Sequence, residues 1–141
     1  MMAAQNGLVT RQQALEDLGL SAGAVDNLVA RGRALSHETA LALHEISDVN
    51  PARHHVTIPA PRRIRRADND RYAVHTQRLE PRQVTWWHLM RIVTPTTAIE
   101  QCLEYGTPTY LLRQAIDRGA RTGAVRRDDV ARLTAALEAR R

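Results

Sequence analysis

Residues 91–103 constrain this chain more than any other stretch, because they pass from strand to helix with almost no loop between. Ile92 and Val93 are β-branched and suit a pleated surface. Thr94 can accept a hydrogen bond from the first helical N–H groups. Pro95 at the opening helical position gives up an N–H that no helix bond needs. Ala98, Ile99, Cys102 and Leu103 then recur as one apolar stripe of a helix. A strand and a helix that share so short a junction fix each other's direction. The corner at Val93-Thr94 is therefore expected at the centre of the main domain.

The elements around it follow from capping and period. Residues 36–46 read as a helix with Ser36 as N-cap, Glu38 in the first turn, and Ala40, Leu41, Leu43 and Ile46 apolar. His54–Ile58 alternates and is β-branched, and residues 72–78 do the same, so both read as strands. They are expected to form a hairpin-like pair around a basic connecting loop. Val84–Trp87 and residues 89–93 suggest two more strands with a tight turn near His88. Trp86 and Trp87 point to opposite faces of such a strand. One fills the core and the other is left on an exposed face, which makes the pair the candidate partner-binding residues.

Three helices then run to the end. The first follows Thr94. The second repeats a Thr-Pro cap at Thr107-Pro108, carries Leu111, Leu112, Ala115 and Ile116, and closes at Gly119. The third spans roughly residues 127–139, with Val130, Leu133 and Leu137 on its stripe and acids and arginines placed to suit its dipole. The reading is α+β: about six helices in all, with three to four strands in a small, mainly antiparallel sheet packed with C-terminal helices.

The first 35 residues read as a separate head. Thr10 and Gln13 form a capping box, Gly19 ends that helix, Ser21 caps the next, and Gly32 ends it. Two short capped helices joined around a glycine are the sequence form of a helix-turn-helix. In that motif the second helix enters the major groove. Ala22, Gly23, Asp26 and Asn27 would then face bases, with Arg31 and Arg33 on phosphates and the capping Ser21 also a DNA-binding candidate. A packing hairpin is the other reading. Asp26 on the same helix repels phosphate, and the head holds as many acids as arginines.

Charge is placed elsewhere. The net charge is +5. Residues 1–50 carry 3 Arg against 6 acids, residues 51–91 carry 9 against 3, and residues 92–141 carry 8 against 6. Arg62, Arg63, Arg65 and Arg66 are the densest cluster. They read either as a phosphate-contacting loop or as a solvated one.

Several classes are excluded by pattern. One cysteine rules out an internal disulfide and a cysteine-only metal site. His37 and His44 lie seven apart rather than at the helical i, i+4 spacing of a ligand pair, and adjacent His54 and His55 point to opposite faces of a strand. No phosphate loop, serine triad or zinc spacing is present, so no catalytic residue, metal or cofactor is expected, and the chain reads as a non-enzyme. No apolar run approaches membrane-spanning length and no signal peptide is visible, which makes the cytoplasm the default.

A resemblance ties these pieces together. The run from Gly7 to Leu15, then Leu18-Gly19-Leu20-Ser21, then Leu28-Val29-Ala30-Arg31-Gly32-Arg33, resembles the N-terminal winged helix of AbiEi-type antitoxins from type IV (abortive infection) toxin–antitoxin systems. The likeness continues through Leu35-Ser36-His37-Glu38-Thr39-Ala40-Leu41-Ala42-Leu43-His44 and Val93-Thr94-Pro95. The head is a reduced, wingless version: Arg33-Ala34-Leu35 leads straight into Ser36, where the family has a β-hairpin wing. The resemblance implies a reduced head in residues 1–35 and an α+β antitoxin domain in 36–141. It implies an autorepressor that binds operator DNA and opposes a nucleotidyltransferase-type toxin, with a homodimer left open. The alternatives are a protein-interaction module that has lost DNA binding, and a non-catalytic head fragment of a nuclease-type protein.

Overall fold

The computed structural model describes residues 33–59 and 72–140. The elements are, in order, β1 (Ala34–Leu35), α1 (His37–Leu43), β2 (His54–Ile58) and β3 (Tyr72–Thr76). A 3-10 turn (Pro81–Gln83) then leads into β4 (Val84–Trp87), β5 (Met90–Val93), α2 (Pro95–Tyr105), α3 (Thr109–Thr122) and α4 (Arg127–Glu138). The α+β class is as expected. The two expected helices of the head, together with Ser21, Gly23, Asn27, Arg31, Arg62, Arg63, Arg65 and Arg66, lie outside the described residues.

The sheet has five strands in the order β3-β2-β1-β5-β4. It is mixed rather than mainly antiparallel. β1 runs antiparallel to β2 and β4 antiparallel to β5, while β1–β5 and β2–β3 are parallel. The expected hairpin of β2 and β3 is therefore a parallel pair, in register from His54↔Tyr72 to Ile58↔Thr76. The length of the connection permits this: parallel neighbours need about a dozen connecting residues, and the sequence between β2 and β3, residues 59–71, is that long.

β1 is the other departure. Two residues carry no period to read, yet Ala34 and Leu35 form the middle strand, pairing Leu35↔Val56 on one side and Leu35↔Ile92 on the other. The sheet thus begins two residues before the expected domain boundary.

The Val93-Thr94 corner is built as its chemistry demands. Thr94 Oγ1 accepts from Thr97 N–H at 3.3 Å, Pro95 opens α2, and Gly106 closes it in the left-handed region at φ 103°. Ile92, Val93, Ala98, Ile99 and Cys102 have no exposed surface. Each large aliphatic among them contributes about 1.5–3 kcal/mol through burial. α1 packs against β2 and α2, and α2 packs against α3 and α4.

Three local expectations need correction. α1 ends at Leu43 rather than near Ile46, because Glu45 turns the chain at φ 59°. Ile46 N–H bonds back to Leu41, which carries the Ile46 side chain into the core. Ser36 holds the N-cap position but makes no side-chain cap, since its hydroxyl is committed to His37 and Thr57. Thr107 does not cap α3; Pro108 holds that position, and the Thr107 hydroxyl donates to Glu38 at 2.8 Å.

Gly119 lies inside α3 rather than at its end. Val125 N–H bonds to its carbonyl at 3.0 Å, and a Cβ added at Gly119 would overlap Val125 Cγ2 and stand 3.1 Å from Val125 Cβ. Val125 is itself buried. Gly119→Ala is therefore expected to destabilise the protein by about 1–3 kcal/mol, against the usual helix preference for alanine. A thermal melt in which this variant matches or exceeds the parent would refute the close packing of α3 on the α3–α4 turn.

Candidate functional site

Three histidines from three elements converge where β1 leads into α1. His37 opens α1, His55 lies in β2, and His75 lies in β3. Parallel register places Thr57 opposite His75 and His55 opposite Ala73, so both imidazoles project from one face, two positions apart. The rings form a stack. His37 and His75 lie 3.6 Å apart between centroids at 16°, and His55 and His75 lie 5.1 Å apart at 12°. Tyr105 meets all three edge-on at 5.0 to 5.8 Å. One nitrogen from each histidine falls within 4.8 Å of the others.

A polar network holds each ring. His55 Nδ1 is 2.9 Å from His75 Nε2. The other nitrogen of His55 faces Glu38 Oε1 at 4.0 Å, and Thr107 fixes that carboxylate through its second oxygen. His37 Nδ1 is 2.7 Å from Ser36 Oγ, which is bonded to Thr57, which is in turn reached by Gln101 Nε2. Gln101 Oε1 also accepts the backbone N–H of His37 at 3.1 Å. That bond helps to hold His37 at φ 54°, a left-handed conformation that costs a non-glycine residue on the order of 1 kcal/mol.

The site opens on one side into a cleft of about 310 Å³ lined by His37, His75, Gln77, Gln101, Glu104 and Tyr105. His37 and His55 are buried and His75 is half-buried.

Electrostatics keep His37 neutral. The pKa of His37 is pushed down to about 3, first by burial and then by the like charges that His75 and His55 would carry. A ring so disposed does not donate a proton near neutral pH; it offers lone pairs and hydrogen bonds instead. His44 is also lowered by burial, opposed by its bond to the Val93 carbonyl at 2.8 Å.

The sequence-derived candidates fall in different places. His37 and His44 do not meet: His44 ties the end of α1 to β5. His54 stands apart from the cluster beside Tyr72, as its opposite strand face dictates. Arg33 alone among the expected DNA-contacting residues is described, half-buried where the chain enters β1. Trp86 is 62% exposed, while Trp87 packs partly against the core and edge-on to His88. Cys102 is buried, and its thiol is pushed up to about 12, chiefly by burial, so it is an inert packing group.

Sequence reasoning missed the histidine cluster. Its signal is the pair of polar residues His55 and Thr57 inside a strand whose two faces are both buried. A polar residue in that setting requires a partner, and the partners come from α1 and β3.

No family model matches the chain, and no curated protein matches it. No helix among the described residues is long and apolar enough to cross a membrane.

The neutral histidines set an acid limit. Groups with lowered folded-state pKa values stay neutral in the fold while the unfolded chain takes up protons. Their contribution is therefore complete above about pH 6.5 and is lost as pH falls from there toward 3. Each fully uncoupled group costs at most about 1.4 kcal/mol per pH unit over its window. The urea midpoint is expected to hold between pH 7 and 8 and to fall steadily from pH 6 to 4.5. A flat profile would refute the burial of uncharged His37 and His44.

Proposed function

We propose that this protein is an antitoxin of the AbiEi type IV kind, a cytoplasmic autorepressor that opposes a nucleotidyltransferase-type toxin. One observation carries the reading. Two of the segments that resemble the family, Leu35 to His44 and Val93-Thr94-Pro95, lie against each other at the centre of one domain. Leu35 pairs with Ile92 beside that corner, His44 bonds the Val93 carbonyl, and α1 packs on α2. Short motifs distant in sequence that build a single corner support a shared fold more than scattered matches would. In this reading operator DNA is held by residues 1–35 and by Arg62, Arg63, Arg65 and Arg66.

A second reading, a protein-interaction module without DNA binding, is favoured by the β4–β5 hairpin. β4 is an edge strand. Trp86 is 62% and Leu89 69% exposed beside the turn. His88 and Leu89 have φ 47° and 69°, the double left-handed geometry of a two-residue hairpin turn that asparagine and glycine normally fill. A large apolar side chain kept at a strained, solvent-facing position points to contact with a partner.

Two experiments separate these readings. Changing the four arginines to Ser should abolish DNA retention and leave toxin neutralisation in cells intact, whereas Trp86→Ala should do the reverse. Loss of neutralisation in the folded arginine variant would make that loop a protein interface and favour the module. Failure of the parent chain to rescue growth against the toxin encoded beside it, at normal expression, would overturn the antitoxin reading itself.

Leu89→Gly relieves the turn. It should leave stability unchanged or raise it by up to about 1 kcal/mol while weakening partner binding. A clear loss of stability would show that Leu89 serves the fold instead.

A further inference from the structure

We propose that His37, His55 and His75 form a binding site for a divalent transition-metal ion of the zinc class, with its open coordination position facing the Tyr105 cleft.

Ligand geometry is the first support. Tetrahedral coordination at 2.0–2.1 Å places ligating nitrogens about 3.3 Å apart. His55 Nδ1 and His75 Nε2 are already 2.9 Å apart, and the whole set of three lies within 4.8 Å. Opening the first pair slightly and drawing His37 inward brings the set to that spacing. All three donors are imidazoles, which suit Zn, Co, Ni and Cu. Three protein ligands with a cleft on the remaining side match the pattern of an open zinc site rather than a closed structural one.

The surroundings are the second support. Histidines that hold a metal donate their other N–H to a carboxylate or another acceptor, which orients the ring and raises its basicity. Glu38 stands opposite the second nitrogen of His55 and is itself fixed by Thr107. Ser36 stands against Nδ1 of His37. Gln101 Nε2 donates to Thr57, and Thr57 donates to Ser36. The Ser36 oxygen has a second lone pair, so it can also accept from Nδ1–H of His37 and leave Nε2 of His37 as a ligand. His55 and His37 are thus supported on the side away from the proposed ion.

A stack of three imidazoles beneath a tyrosine is the competing account. It explains the ring contacts. A metal site adds an orienting task for Glu38 at the second nitrogen of His55.

The test uses the full-length chain, stripped with chelator and titrated with Co²⁺ and then Zn²⁺. One equivalent of Co²⁺ should produce the visible absorption of tetrahedral cobalt, and Zn²⁺ should displace it and raise the melting temperature. His75→Gln, chosen because His75 is the least buried of the three, should weaken binding at least tenfold while the metal-free melting temperature stays near that of the parent. Glu38→Gln should weaken it about 10- to 100-fold through orientation alone. His88→Gln, on the hairpin turn, should bind as the parent does. Absence of the cobalt band in the parent chain, or binding that survives His75→Gln unchanged, would overturn the proposal in favour of the aromatic stack. Should His75→Gln fail to fold, the parent titration with the Glu38→Gln comparison decides.

Discussion

The parallel contact between β1 and β5 is the constraint on which the rest of the domain depends. β1 has only two residues, yet it is the strand that joins β2–β3 to β4–β5. Remove it and the sheet becomes two separate pairs, each too small to be stable alone. The pairing Leu35↔Ile92 also sets where α1 starts and where α2 starts, since each helix follows its strand after a single residue. Both helices consequently leave the same end of the two parallel strands and pack together. The buried aliphatics Leu35, Leu41, Ile92 and Ile99 are the consequence of that geometry.

This arrangement explains what was legible in the sequence. Thr94 and Pro95 carry local chemistry strong enough to fix the start of α2 from a few residues, and the structure uses both as read. The C-terminal helices were legible for the same reason, through their apolar stripes. The α+β class followed from strands before helices. Strand pairing was not legible. β2 and β3 look alike whether parallel or antiparallel, because alternation specifies faces and not direction. β1 could not be found by period, because two residues have none.

The histidine cluster lay beyond reading for a related reason. Its members come from α1, β2 and β3, and only the parallel register of β2 and β3 sets His55 and His75 side by side. A hairpin pairing would have run β3 the other way and separated them. Once direction was misread, the three histidines could appear only as an isolated helical residue, half of an adjacent pair and a strand residue. The exposed tryptophan, by contrast, was legible, because Trp86 and Trp87 must face opposite ways in any strand.

The polar network also performs a structural task that hydrophobic packing cannot. β2 is buried on both faces, with Val56 and Ile58 on one and His55 and Thr57 on the other. A strand buried on both sides loses the usual solvent cue that fixes register, so a one-residue slip would cost little if every side chain were aliphatic. Here a slip would carry His55 away from Glu38 and His75, and Thr57 away from Ser36 and Gln101, leaving several polar groups buried without partners. Each such group costs on the order of 1–3 kcal/mol. Gln101 extends the same lock to α2, because its amide reaches His37, Thr57 and Gln77 at once. The residues that converge on one side of the cleft are thereby the residues that tell β2 which way to face. The histidine cluster and the register of the sheet are specified by one set of hydrogen bonds.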